Sequence, residues 1–240
     1  MANKMRLDKM LSNIGYGSRR DIKEALKRGL VKVNGSVEKS NSRHVDTDSD
    51  VVEFDGEKVS YREFVYIMLN KPDGYISATE DNRDRTVLEL IDPVYLAFKP
   101  FPVGRLDKDT EGLLVLTNDG ALAHRVLSPK KHVKKRYYAK IDGRVTKEDI
   151  EAFKTGVQLD DGYNTLPAEL EILQSGECSE IELTIVEGKF HQVKRMFEAV
   201  GKKVTYLKRL SMGELRLDNA LELGEYRELT DEELLMLEER

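Results

Sequence analysis

The stretch Phe101-Pro-Val-Gly-Arg-Leu-Asp107-Lys-Asp-Thr-Glu-Gly-Leu-Leu-Val-Leu-Thr-Asn118 constrains the fold of this 240-residue chain more than any other segment. A tight Gly-Arg-Leu-Asp turn leads into the apolar run Leu113 to Leu116, which Asn118-Asp-Gly120 closes. Such a run between turn residues reads as a buried strand. Asp107 stands just ahead of that strand, and Arg105 two residues before it. A loop of this kind can hold one acid in a pocket while a cation reaches into a substrate.

The rest of the chain reads as two units. In the first, Met5 to Asn13 has apolar residues at helical spacing, and Gly15-Tyr-Gly17 breaks the helix. Ser18 is a suitable N-cap for a second helix, Arg19 to Arg28, which Gly29 ends. Leu30 to Val33, Asn34-Gly35 and Ser36-Val37 predict a hairpin, and Val51 to Phe54 a further strand closed by Asp55-Gly56. We place this unit at residues 1–58, with a linker at 59–63 and a larger unit at 64–240. The larger unit opens with the β-prone run Phe64 to Leu69. Strands are expected at Gly112–Thr117, Lys135–Ile141, Glu169–Leu173, Glu180–Val186 and Thr205–Leu210. Helices are expected at Thr86–Ile91, Ala121–Val126, Lys147–Thr155 and His191–Val200. The elements lack the regular βαβ spacing of a doubly wound fold, so the class is α+β around a large mixed sheet.

Composition bounds the function classes. No apolar run approaches the roughly 20 residues needed to span a bilayer, and the N-terminus has no apolar leader segment, so no membrane partner is expected. The lone Cys178 cannot make an internal disulfide, which points to a reducing cytoplasm. One Cys and four His offer no zinc framework, so no metal is expected. Asp46-Thr-Asp-Ser-Asp50 lacks the glycine that a calcium loop needs, since Val51 stands there. Asp107-Lys-Asp109 lacks the preceding apolar strand of phosphatase motifs. The net charge is −5 but unevenly spread. Residues 1–45 carry 11 Lys/Arg against 4 Asp/Glu, whereas residues 211–240 carry 3 against 10. His124 to Lys140 holds 7 Lys/Arg and no acid. Local positive potential of this kind suits phosphate binding.

Gly-Arg-Leu-Asp followed by Thr-x-Gly-Leu-Leu closely resembles the signature of the pseudouridine synthases, in particular the branch of the ribosomal small-subunit enzyme RsuA. Lys134-Lys-Arg-Tyr137-Tyr resembles the family's Lys-x-Tyr strand. Glu187-Gly-Lys-Phe-His-Gln-Val-Lys194-Arg195-Met-Phe resembles its third motif. The resemblance implies that Asp107 is catalytic, that Tyr137 is the active-site tyrosine, and that Lys194 approaches the carboxylate. It implies that Arg105 enters the base stack vacated by a flipped uridine. His191, Gln192 and Arg195 join the substrate-binding set, with His191, Lys194 and Arg195 at i, i+3 and i+4 able to share a helix face. Lys71-Pro72 matches a further family element, architectural or in contact with RNA, and Lys71 is grouped with the substrate-binding residues.

The first unit resembles the small RNA-binding fold first seen in ribosomal protein S-four. The matching RNA-binding positions are Arg6, Lys9, Ser18, Arg19, Arg20 and Lys23. The implied activity is isomerisation of one uridine in 16S rRNA, uridine 516, without a cofactor. The implied partner is rRNA or a small-subunit assembly particle, and the protein is expected to act as a monomer. Leu69-Asn-Lys-Pro, Gly156-Val-Gln-Leu159 and Leu223 to Thr230 look most like the small-subunit branch. The alternatives are a 23S rRNA enzyme of a related branch and a non-catalytic RNA-binding assembly factor.

Overall fold

Leu7, Met10 and Leu11 on one segment, and Ile22 and Leu26 on the next, are spaced to give two short helices a common apolar face. In the computed structural model, which describes residues 4–59 and 61–238, these side chains close over a small core with Val31, Val33, Val45, Val52 and Val59. The elements of this first unit are β1 (Lys4–Arg6), α1 (Leu7–Asn13), α2 (Arg19–Lys27), β2 (Val31–Val33), β3 (Ser36–Val37), β4 (His44–Asp46), β5 (Val52–Phe54) and β6 (Glu57–Val59). The expected first helix begins two residues late. Lys4–Arg6 is extended and pairs antiparallel with β4, and the Leu7 N–H is taken by the Arg43 carbonyl. The second helix carries a capping box, in which Ser18 and Asp21 satisfy each other's backbone N–H groups.

Asn34 and Gly35 both lie at positive φ, 52° and 77°, as the hairpin between β2 and β3 requires. Asp55 and Gly56, at 51° and 88°, do the same between β5 and β6. The expected linker therefore starts inside a strand, because Val59 ends β6. A second difference concerns the unit boundary. The first unit runs to Val65 and also takes in Asp92–Lys99, whereas Tyr66–Ile91 and the chain from Pro100 onward form the second unit. The Asp92–Lys99 segment holds α3 (Pro93–Leu96). The Arg62 guanidinium lies over the Tyr95 and Phe98 rings, 5.7 and 5.2 Å from their centroids.

The second unit contains β7 (Tyr66–Lys71), β8 (Phe101–Pro102), β9 (Glu111–Thr117), α4 (Gly120–Leu127), β10 (Lys135–Asp142), α5 (Lys147–Thr155), β11 (Glu169–Gln174), β12 (Cys178–Ile185), α6 (Gln192–Ala199), β13 (Lys203–Met212), β14 (Leu215–Arg216), β15 (Tyr226–Glu228) and α7 (Asp231–Glu238). The expected helix at Thr86–Ile91 is a short 3-10 turn, Val87–Leu90, closed by a Thr86–Glu89 capping box. The sheet order is β11-β12-β10-β13-β9-β7-β15, with β14 added to β13 and β8 to β9. Every pairing is antiparallel except that of β13 with β9, so the sheet is mixed and mainly antiparallel.

Leu113 to Leu116 are all fully buried in β9, near the middle of the sheet, which is why the run is apolar at every position. Gly112 lets the parallel pair form. Its φ is +99°, and a Cβ there would collide with the Arg209 carbonyl oxygen of β13.

The loop between β8 and β9 carries Asp107, and it is tied down from behind. Lys71 ends β7 fully buried, and its ammonium donates to the carbonyls of Pro72, Lys108 and Thr110 at 2.9, 3.1 and 2.8 Å. The Ser77 hydroxyl donates to the Leu106 carbonyl and accepts from the Leu106 N–H, both at 3.0 Å. Lys71 is therefore no substrate contact. Three carbonyls take its donors, and burial leaves no face for RNA.

Burial pushes the Lys71 ammonium down from 10.5 to about 8. Lys71→Met would orphan three carbonyls, so it should lower stability by about 2–4 kcal/mol in urea denaturation. Between pH 8 and 10.5 the unfolded chain holds a proton at Lys71 that the folded protein has released. Wild-type stability relative to the variant should accordingly rise with pH across that window. A flat or falling difference would show that burial does not depress the Lys71 ammonium.

Candidate active site

Asp107 follows the left-handed turn at Gly104, φ +78°, and its side chain is 27% exposed. Lys194 on α6 approaches one carboxylate oxygen at 3.4 Å, and the His191 Nε2 approaches the other at 3.6 Å. Lys194 is shared, because its ammonium also donates to Asp109 at 2.5 Å. Burial works against ionisation of Asp109, but the hydrogen bond and charge of Lys194 outweigh it and hold the carboxyl below its ordinary value. Two carboxylates, those of Asp107 and Asp109, thus share one ammonium.

A cavity of about 330 Å³ opens beside Asp107. Tyr137 of β10 lies in its wall, 7% exposed, with its alternate neighbours Ala139 and Ile141 buried on the same face of the strand. Arg105 is exposed at the rim, and among the described residues no acid or acceptor engages its guanidinium. It is free to enter a substrate. Next to it on the wall, the loop 186–193 is organised by Glu187, whose carboxylate accepts from Tyr163 Oη at 2.6 Å, Leu166 N at 2.9 Å and Gln192 Nε2 at 2.7 Å.

The third motif divides its side chains differently from a single helix face. His191 lies outside α6 in a left-handed conformation, φ 49°, yet still reaches Asp107. Gln192 lines the cavity, but its amide is used within the loop, donating to Glu187 and accepting from the Lys189 N–H. Arg195 turns away from Asp107. It donates to Asp160 at 2.6 Å and pairs with Asp161 at 2.7 Å, so it fixes the turn after α5 and is not grouped with the cavity. Helix spacing could not reveal these acids, which lie in another segment of the chain.

Three contributors escaped the sequence reading. Glu187 opens the third motif, and its presence there was the available signal. Lys135 is the lysine of Lys-x-Tyr, two residues before Tyr137, and lines the same cavity. Arg209 gave no signal, because it lies in β13 outside any motif and reaches the cavity only through its pairing opposite Tyr137.

In the first unit, Lys9, Arg19, Arg20 and Lys23 are exposed on α1 and α2 with no acid paired to them among the described residues. Arg6 and Ser18 are committed elsewhere. The Arg6 guanidinium forks onto the buried Asp8 carboxylate at 3.0 and 2.7 Å, and Ser18 caps α2. Among the described residues, no group of three or more His, Cys, Asp or Glu is placed to hold a metal ion.

Comparison with known proteins shows the family. Residues 65–199 match the family model described as RNA pseudouridylate synthase, and residues 5–52 match the S4 domain. The chain is 56% identical over 236 residues to the uncharacterized RNA pseudouridine synthase YtzG of Bacillus subtilis (strain 168), covering 98% of this chain and 99% of that one. It is 43% identical over 231 residues to the ribosomal small subunit pseudouridine synthase A of Vibrio parahaemolyticus, covering 96% and 98%. It is 42% identical over 235 residues to the ribosomal large subunit pseudouridine synthase B of Bacillus subtilis, covering 97% and 95%. With a half-buried acid, a cation against it and a tyrosine in one cavity, and with these matches over nearly its whole length, the chain belongs to the RNA pseudouridine synthases, isomerases that act on RNA, and carries an N-terminal S4 domain.

Proposed function

We propose that this enzyme converts a single uridine of 16S rRNA, uridine 516, to pseudouridine, with Asp107 as the catalytic carboxylate. The supporting observation is the contact set of Asp107, half-buried at a cavity wall with Lys194 and His191 against its two oxygens. Isomerisation breaks the N1–C1′ bond, rotates the base and forms C5–C1′. It needs a carboxylate beside the sugar and no redox agent. Lys194 places a positive charge 3.4 Å from one oxygen of that acid. Tyr137 faces the same cavity and can stack on uracil or move its proton. A uridine inside an RNA helix must be flipped out to reach the cavity, and the unpaired Arg105 at the rim takes its place in the stack.

The small-subunit target is supported by full-length similarity to the Vibrio enzyme and by three segments resembling that branch. Two of those segments touch. The Asn70 side chain donates to the Leu221 carbonyl and the Gly224 N–H donates to the Asn70 carbonyl, at 2.8 Å each. A uridine of 23S rRNA is the second reading, favoured by the Bacillus large-subunit enzyme at nearly equal identity. The exposed Lys9, Arg19, Arg20 and Lys23 of the first unit grip RNA phosphates, and shape contributes to recognition. The enzyme works as a monomer in the cytoplasm, on rRNA or a small-subunit assembly particle.

Asp107→Asn should leave RNA affinity intact while lowering pseudouridine formation by about 10⁴-fold or more, measured by nucleoside chromatography of digested rRNA. Turnover within tenfold of wild type would sink the role of Asp107. Offering 16S transcripts, 23S transcripts and small-subunit particles, then mapping the product by chemical blocking and primer extension, separates the two targets. Replacing Lys9, Arg19, Arg20 and Lys23 together by Gln should flatten the slope of log K against log salt by about 3, since each phosphate contact contributes roughly 0.7–0.9. An unchanged slope would show that these helices do not hold phosphates.

A further inference from the structure

The cavity beside Asp107 has a cationic floor that the catalytic acid does not explain. Arg209 is 2% exposed and lines the cavity. Its Nε donates to the Leu113 carbonyl at 2.8 Å, whereas its Nη2 is buried with no hydrogen-bond partner. Lys135, on the neighbouring strand, lines the same cavity and gives one hydrogen bond, to the Val133 carbonyl at 3.0 Å. Among the described residues no carboxylate lies within 4.0 Å of either group. Burial first, and then the charge of Arg209, push the Lys135 ammonium down to about 8, while Glu187 pulls the other way. A buried donor with no acceptor costs stability and is rarely left without a purpose. Arg209 Nη2 is such a donor, and the half-buried Lys135 ammonium, with one carbonyl partner, adds a second cation to the same cavity; together they call for an electron-rich partner.

We propose that Lys135 and Arg209 form the base subsite, donating to the carbonyl oxygens of the flipped uracil and stabilising it while it is detached from the sugar. The inference rests on the reading of Asp107 as the catalytic carboxylate. When the N1–C1′ bond breaks, its electron pair leaves with N1. The base then carries one negative charge, spread over N1, O2 and O4, and the sugar carbon is left electron-poor beside the Asp107 carboxylate. After rotation, C5 gives an electron pair to C1′. C5 then loses its proton to a base in the cavity and N1 gains one from water, so the product is an isomer of the substrate. Fixed cations at O2 or O4 lower the cost of the charged intermediate, since they need no reorganisation and act where water is excluded.

An RNA phosphate is the competing occupant for such a pair. Depth disfavours it. A phosphodiester is tied to nucleotides on both sides and cannot sink to a floor where Arg209 is 98% buried, whereas a flipped base hangs free by one bond. Asp107, by contrast, stays 27% exposed at the level where a sugar would sit.

The test is single-turnover release of tritium from rRNA transcripts of both subunits carrying uridine labelled at C5, with RNA affinity measured in parallel. Lys135→Gln should slow release by about 10²-fold, the effect of losing one donor to a developing anion, with the RNA Kd within about threefold of wild type. Lys135→Arg should recover most of the rate. Arg209→Gln should act in the same direction, but it also loses a backbone contact, so its melting temperature must be checked and the Lys135 pair decides. A Lys135→Gln rate within a few-fold of wild type would overturn the proposal. So would a weakened Kd and shallower salt slope at an unchanged rate, the signature of a phosphate contact. If wild-type protein releases no tritium from either rRNA, the proposed function fails instead, and Asp107→Asn will then be indistinguishable from wild type.

Discussion

The arrangement depends on one buried ammonium. Lys71 stands at the end of β7, where antiparallel pairing with β9 brings it behind the loop that returns from β8. Its three donors hold two carbonyls of that loop and that of Pro72, the residue just after β7. Loops are ordinarily the mobile part of a scaffold, yet a catalytic carboxylate must be held within about 0.5 Å of its working position. A cation with three carbonyl acceptors reconciles these demands, because moving the loop would leave a buried charge and its acceptors unpaired. Ser77 adds a second grip on Leu106, the residue just before Asp107.

From that fixed point the charges sort into two kinds. Some cations are used up inside the protein. Arg195 holds Asp160 and Asp161, Arg227 holds Asp218 and Glu233, and Arg6 holds Asp8. Others have no acid within ion-pair distance among the described residues: Lys9, Arg19, Arg20 and Lys23 on the first unit, and Arg105, Lys135 and Arg209 around the cavity. Net charge therefore says little about this protein's affinity for RNA. What matters is which cations remain uncompensated, and these lie where phosphates or a base can meet them.

Lys194 belongs to both kinds. It sits between Asp107 and Asp109, closer to the second, so the acid that carries no proposed chemistry shares the cation of the one that does. Asp109 anchors the ammonium within reach of Asp107. His191 reaches the same carboxylate from outside the helix, and its ring stacks on that of Phe190 with centroids 3.7 Å apart.

Much of this was legible from residue order alone. Strand and helix periodicity identified the central strand at Leu113–Leu116, the capped helix after Ser18 and the Asn34-Gly35 hairpin, because each is decided by neighbours a few residues apart. The three motifs named Asp107 and Tyr137, which line one cavity, and Lys194, whose ammonium lies 3.4 Å from the Asp107 carboxylate. Helix spacing failed for Arg195, since the competing acids Asp160 and Asp161 lie more than thirty residues away in sequence. For Lys71 the resemblance left an architectural role and an RNA contact open, and only the β7–β9 pairing shows that carbonyls surround its ammonium. Arg209 is the extreme case. Nothing near it in the chain distinguishes it from a solvated surface arginine, and only the parallel pairing across Gly112 and the register opposite Tyr137 bury it beneath the cavity. Sequence determines local conformation and the chemical cast, because those depend on short-range sterics and residue type. Tertiary structure alone decides which charges find partners, because desolvation and pairing act between groups that the chain keeps far apart.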